Sequence, residues 1–523
     1  MPKRWWADRR GDKPVRSADT SLRVLPWWWA VVIVAAVVAG GVVAMLLLGV
    51  WSVPSIPTEA DKLRLDRIKT ALTVAAGLAA GATLLMTLRR QILSERTQRF
   101  AESEALEQRS TALYVAAADQ LGSDKAAVRL AGLYALERLG QDNVKLRQTV
   151  VDVWCAYLRM PYTLPVEVLR GNAAGSPAQP DAEGELPDAA AEAERHQELQ
   201  VRMTAQRLLA AHLDPMLGDA YWIDAKGAWM VLDLVGAVLV DFSLAACEIG
   251  RLSVGRAQFH SVTNLSRAQF HGDANLDEAQ FHGDANLDEA QFHSVTNLNT
   301  AQFHGNAYLY RTQFHANANL RGVQFHREAN LRGVQFYGEA DLRGVQFYGD
   351  ANLGAAQFHS ITNLDAAQFH SVSSFHVAQF RGDASLHEAK FHDAANLGGV
   401  VFHDNVDLHE AQFYSTFYAS GANFHGDAYL LDAQIHDDAF LSEVNFHSSA
   451  YLSGAQFHGD ARFDGAQLHG DVELGLAQFN GLVDLTHASA TRRTILPNGW
   501  ILSDDSGVPD RLFPVVVVVK GDE

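Results

Sequence analysis

Large apolar residues return every eleven positions through the second half of this chain. One series runs from Phe259 through Phe270, Phe281 and Phe292 to Phe479, and only Ile435 and Leu468 replace the Phe. A second runs from Leu265 through Leu276 and Leu287 to Leu485, offset by six and then five residues, and falls to a small residue at Ala419. Two positions before each lies a small or β-branched residue, such as Ala268 before Phe270 and Ala274 before Leu276. Residues two apart on an extended segment face the same side, so each short strand aims one large and one small side chain inward. A fixed period of this kind predicts a stacked solenoid. Just before the array the period is five: Leu234, Leu239, Leu244, Ile249, Val254 and Phe259, with inward partners Leu232, Ala237, Phe242, Cys247, Leu252 and Ala257.

Other patterns precede it. Trp27 to Trp51 is uncharged, with tryptophans at both ends, and predicts a membrane-spanning helix rather than a signal peptide. Thr70 to Leu88 is a second uncharged stretch, rich in Ala, Gly and Thr. Its Gly77 and Gly81 have the small-xxx-small spacing that lets two helices approach. Arg89 to Leu121 has few helix breakers and is expected to continue the second span. Leu130, Leu133, Tyr134, Leu136 and Leu139 form one helical face, Gly140 can end that helix, and Val144 to Leu158 reads as the next. Gly171 to Glu194, rich in Ala, Pro and acidic residues, reads as a disordered linker. Gln197 to Leu213 predicts another helix. A solenoid needs its ends covered, and this helix with the Trp222/Trp229 segment is the expected N-terminal cap. The valine run within Phe513–Lys520 predicts a strand of the C-terminal cap.

The chain therefore divides into a basic tail (1–26), spans at 27–51 and 70–88, a helical region (89–170), a linker (171–195), a helix and cap (196–231), the repeat array (232–490) and a C-terminal cap and tail (491–523). The fold class is mainly β, with two transmembrane helices and a small α-helical region ahead of the solenoid.

The five-residue period and the A-Q-F-H-G-D-A-N-L unit, as at Ala268–Leu276, resemble the pentapeptide-repeat family over about Leu232 to Asp484. The resemblance implies a right-handed quadrilateral β-helix, in which two eleven-residue units make one coil of about 22 residues. At a strand spacing of ~4.8 Å, about eleven coils would measure roughly 50–55 Å. The six-residue steps would need a bulge at alternate corners, and Gly272, Gly283 and Gly305 would suit a tight corner there. The helix pair within Ala126–Tyr162 resembles one HEAT hairpin. The stretches R-L-A-G-L-Y-A-L and C-A-Y-L-R-M-P-Y are similar to the region before the repeats in actinobacterial membrane-anchored pentapeptide-repeat proteins.

Charge sharpens this picture. Residues 232–490 hold 30 Asp and Glu against 11 Lys and Arg, and the remainder balances at 31 of each, so the solenoid carries the whole net charge of −19. Direct binding of nucleic acid is not expected, because phosphate contacts need Lys and Arg. Lys3, Arg4, Arg9, Arg10, Lys13, Arg16 and Arg23 before the first span, with Arg89, Arg90, Arg96 and Arg99 after the second, outweigh Lys62, Arg64, Arg67 and Lys69 between them. This predicts a multi-pass plasma-membrane protein with both termini in the cytoplasm. Cys155 and Cys247 lie in different parts of the chain, with no sign of a disulfide framework.

Sixteen of the 22 histidines directly follow the Phe-series residue, from His260, His271 and His282 to His458 and His469. On a 22-residue coil they form two ladders of eight on opposite faces. They are expected to be outward surface decoration with a pH response and not a metal site, with repulsion between stacked neighbours lowering their pKa values and Asp273 and Asp284 opposing that. Gln precedes the Phe series at seventeen positions and Asn precedes the Leu series at nine. Stacked in register, these amides are expected to form hydrogen-bonded ladders between coils. The chain contains no nucleophile–base pair, phosphate loop or zinc signature. No enzyme, catalytic residue, cofactor, metal or small-molecule substrate is expected.

Function follows only in outline: a membrane-tethered scaffold displaying an acidic β-helix to an unknown protein partner, with the bilayer itself as the second partner. Two alternatives stand beside it. Some pentapeptide-repeat proteins mimic DNA and inhibit gyrase, and the acidity fits that reading. The third is a stress or signalling sensor with the helical block as its input.

Overall fold

The computed structural model describes residues 59–173, 189–491, 493–497, 500–502 and 513–517, with isolated helical positions between 32 and 46. The span expected at 27–51 otherwise lies outside the described residues. The chain forms two compact units, Met1–Arg109 and Ser110–Glu523.

Helix α1 runs over 63 residues, Glu59–Leu121. The connection expected near Lys62–Lys69, the second span and the following helix are thus one continuous element. Within it, Leu65–Leu121 is, among the described residues, the one helix long and apolar enough to cross a membrane. Its threonines suit that environment. The hydroxyls of Thr70, Thr73, Thr83 and Thr87 donate back to backbone carbonyls four residues earlier, at 2.7–2.9 Å, and so need no water. Among the described residues nothing lies within 4 Å of a Cβ placed on Gly77 or Gly81, and the span expected to pack against them lies mostly outside that set.

Among the described residues four further α-helices follow: α2 (Ala126–Asp142), α3 (Arg147–Arg159), α4 (Val166–Ala173) and α5 (Ala189–Leu213). Helix α5 begins eight residues before the expected Gln197, so part of the supposed linker is helical, and residues 174–188 lie outside the described set. Gly140 does not end α2, which runs on to Asp142. A Cβ there would lie 2.4 Å from the Trp222 ring, so this glycine makes room for an indole. Trp222 is fully buried and stacks on His212 (3.9 Å between ring centroids) and Trp154 (5.7 Å). A charged group knits the helices together. Glu198 accepts from Arg202 (2.8 Å), Arg129 (3.0 Å) and the Tyr157 hydroxyl (2.9 Å), and Arg202 also donates to the Leu158 and Met160 carbonyls.

The array is a four-sided parallel β-solenoid of about twelve coils. Each sheet takes every fourth strand, and the sheets contain 12, 12, 11 and 14 strands, the last including the C-terminal hairpin. The register steps show how the coil lengthens. Val238 pairs with Gln258, Glu248 with Gln269 and Gln291 with Gln313, so the step grows from the five-residue period to the full 22. The inward columns are stacked Phe rings, as in Phe325–Phe347 (4.9 Å) and Phe347–Phe369 (5.0 Å). One hydrophobic cluster extends from Ala117 and Leu133 in the helices to Ala490, so helices α2, α3 and α5 close the N-terminal cross-section.

The edge strand itself is also covered. The Gln148 side chain accepts from the Val231 N–H (2.9 Å) and donates to the Val231 carbonyl (2.8 Å), and Arg159 pairs with Asp233. The Gln148 contacts occupy free strand-edge groups that would otherwise template pairing with another chain, and the Arg159–Asp233 pair ties α3 to the same strand. At the other end Phe513–Val517 pairs antiparallel with Ser489–Ala490 and with Trp500–Leu502, the expected C-terminal strand.

Candidate interaction surface of the solenoid

The corners alternate between two kinds, for reasons legible in the unit. The tight corner follows the Leu series and is a β-turn, as where the Ala268 N–H donates to the Leu265 carbonyl at 3.1 Å. Its third residue has positive φ: Arg267 at 57°, Glu278 at 55°, Val377 at 53°, with Gly at several others. The Asn before the Leu serves this turn. Asn275 accepts from the Asp277 N–H (3.0 Å) and Asn286 from Asp288 (2.9 Å), a local side-chain bond that mimics a backbone turn. The expected Asn ladder between coils is therefore replaced by a turn cap, because the nearest amide is two residues away in the turn that follows the strand.

The wide corner follows the Phe series and holds the extra residue. There the acidic or amide side chain accepts the N–H of the residue one coil on: Asp284 from Asn306, Asp383 from Asn405, Asn405 from Asp427, and Asp460 from Leu482, at 2.9–3.2 Å. This column supplies the hydrogen bonds that the bulge takes from the ladder. The corner glycines are not at positive φ. A Cβ on Gly272 or Gly283 would meet the backbone of the preceding coil at 2.2 or 2.0 Å. They permit close approach rather than an unusual turn.

Two opposite faces remain, and they carry the histidines. On one, rings stack without a break from His260 to His458, ten in all with Tyr348 and Tyr414, at centroid spacings of 4.4–5.2 Å. On the other, Trp229 starts a stack on His271 (3.6 Å) that reaches His359, Arg381 interrupts, and a second run joins His403 to His469. Beside each stack runs the Gln column. Its amides serve the rings more than each other: the Tyr337, Tyr348 and Tyr414 hydroxyls donate to the Gln two residues earlier at 2.5–2.8 Å, and His469 meets Gln467 at 3.0 Å. The expected amide bond between coils occurs where Asn replaces Gln, from Asn445 to Asn423 (3.2 Å).

Rings near the start of each stack, such as His271, His282 and His304, are partly buried, whereas most of the others are exposed. Burial is the first cause that holds His271, His304, His315, His436 and His447 below the ordinary imidazole value, and charge on neighbouring histidines comes second. Repulsion was the expected cause, and desolvation by the flanking rings outweighs it. Asp273 and Asp284 are turned to Ser294 and to the Asn306 N–H instead of to the rings. His260 is the extreme case. Helix α4 lies against its strand, and burial lowers its pKa to about 4.

The result is a segregated surface. Along the unbroken face the outward positions from Gln258 to Asn480 include one ordinarily charged residue, Lys390. Carboxylates such as Asp277, Glu278, Asp288 and Glu289 sit at the corners. The structure thus presents flat, amide-and-aromatic stripes between acidic ridges.

Residues 255–302, 298–346, 309–357, 397–445 and 441–489 match the family model described as pentapeptide repeats (9 copies). No curated protein and no solved structure matches the chain.

Proposed function

We propose, from the match of much of the solenoid to the pentapeptide-repeat model, that this chain is a membrane-tethered, non-enzymatic scaffold in the cytoplasm that docks a protein partner. The observation that carries this reading is the flat, nearly charge-free His/Gln face bounded by acidic ridges. It has little charge to desolvate on docking and offers regularly spaced hydrogen-bond donors, acceptors and ring edges, as protein interfaces do. The apolar stretch of α1 supports the tether. Both termini then lie inside, as the balance of Lys and Arg about the two expected spans suggests.

Two experiments test it. Reporter fusions after Arg23 and after Arg99 should both read inside, and one within Thr58–Asp61 outside; an outside signal after Arg99 would remove the second span. A photo-crosslinking residue at Gln324, on the ring face, should trap a discrete membrane-associated partner, whereas the same residue at Glu278, on a corner, should not. Equal trapping at both positions would reject the face as the docking surface. The DNA-mimic reading draws on the acidic ridges, but Asp284, Asp383 and Asp460 spend acceptor capacity on backbone amides. Inhibition of gyrase supercoiling by the full chain would favour it over the scaffold.

A further inference from the structure

Away from the two ladders, the tripeptide Leu-His-Glu occurs at Leu386–Glu388 and again at Leu408–Glu410, one coil apart. The 22-residue register therefore places His387 and His409 side by side on neighbouring coils. Their rings stack at 5.3 Å with planes 7° apart. Glu410 adds a carboxylate, with Oε1 3.3 Å from His409 Nε2. One ligand atom from each of His387, His409 and Glu410 lies within 4.8 Å of the others. We propose that these three residues form a binding site for a single divalent transition-metal ion of the zinc type, with solvent completing its coordination.

The donor set suits such an ion. Two imidazoles and one carboxylate make a donor set of the kind that holds zinc with an open fourth position. The fold spends little of this group's bonding capacity. His409 Nδ1 is buried and meets no hydrogen-bond partner, and the Glu410 side chain is about half exposed. Donors around a tetrahedral ion with bonds of about 2.0–2.1 Å stand roughly 3.4 Å apart, so the three must close by about an ångström. Both rings are only partly buried, and rotation about their side-chain torsions supplies that closure.

The ladder histidines differ in what lies beside them. Most are held between rings above and below and have no carboxylate beside them. The 387/409 pair instead ends at Asp365 on one side and Leu431 on the other, the residues that occupy the same register position in the adjacent coils. Asp365 is engaged with the Ser385 hydroxyl. A metal here would bridge two coils and so link ion binding to the stability of that part of the rod. This departs from the expectation, formed from the ladders alone, that the chain holds no metal site.

The test is calorimetric titration of the full-length chain in detergent with zinc chloride, paired with cobalt(II) absorption. One equivalent should bind in the micromolar range or tighter, and cobalt should give a visible band. The double variant His387→Ala/His409→Ala should lose that equivalent and the band. Glu410→Gln should weaken binding about tenfold, and His282→Ala, in a ladder, should leave it unchanged. Circular dichroism of each variant separates loss of the site from loss of the fold. No uptake by the unmodified chain, or uptake that the folded double variant retains, would overturn the assignment.

Discussion

Replacing Phe347 by Ala removes a fully buried ring from the centre of the rod. The ring stacks on Phe325 at 4.9 Å and on Phe369 at 5.0 Å, so the deletion breaks two aromatic contacts and leaves a cavity closed by the coils on either side. The backbone cannot collapse into that space, because parallel pairing holds Phe347 in register with both neighbours. The expected cost is about 3–5 kcal/mol, the upper range for loss of a core aromatic. Tyr348, one residue on, faces outward at 42% exposure. It stacks between His326 and His370 and donates to Gln346, contacts that water largely replaces, so Tyr348→Ala should cost about 1 kcal/mol or less. Hydrogen exchange read by mass spectrometry resolves where the loss falls. In a solenoid each coil leans only on its neighbours, so Phe347→Ala should deprotect the coils holding Phe325, Phe347 and Phe369 and fade along the rod. Equal costs at the two positions, or a loss of protection spread evenly over the solenoid, would refute the inward register and the nearest-neighbour argument.

Val377 is β-branched at a φ of 53°, so Val377→Gly should raise the midpoint of thermal unfolding, gaining up to about 1 kcal/mol after the entropy cost of glycine. Asn405→Ala removes the acceptor of the Asp427 N–H at a wide corner, and denaturant titration should show a loss of about 0.5–1.5 kcal/mol, whereas Asn405→Asp should be tolerated. His260 makes stability depend on pH in one direction. Above about pH 6.5 the ring is neutral both folded and unfolded, but as pH falls from about 6.5 toward about 4 the unfolded chain takes the proton first, so stability declines across that window. Melting temperatures of His260→Gln should fall less steeply than those of the unmodified chain over that range. The array's loss of negative charge, followed by light scattering, should set in at a lower pH than free imidazoles would give, because burial resists protonation of ladder residues such as His304 and His436.

The eleven-residue period by itself determined the solenoid, the inward Phe and Leu columns and the opposite faces of the histidines. All three follow from which side chains must leave water, and strict repetition makes that choice the same in every unit. Tertiary structure decided what a single unit cannot express. Whether Asn275 bonds across the coils or to its own turn, and whether Asp284 faces solvent or the amide of Asn306, depends on where corners fall relative to the next coil. Gly140 and Gly283 look like turn residues in one dimension, yet both are spaces for a neighbour distant in sequence: an indole in one case, a backbone in the other. The lowered pKa values of His271 and His304 likewise come from desolvation beside neighbouring groups, which exists only once the coils are stacked. The pairing of His387 with His409 is of the same kind. Each Leu-His-Glu is unremarkable alone, and only a 22-residue coil brings two imidazoles and a carboxylate to one place.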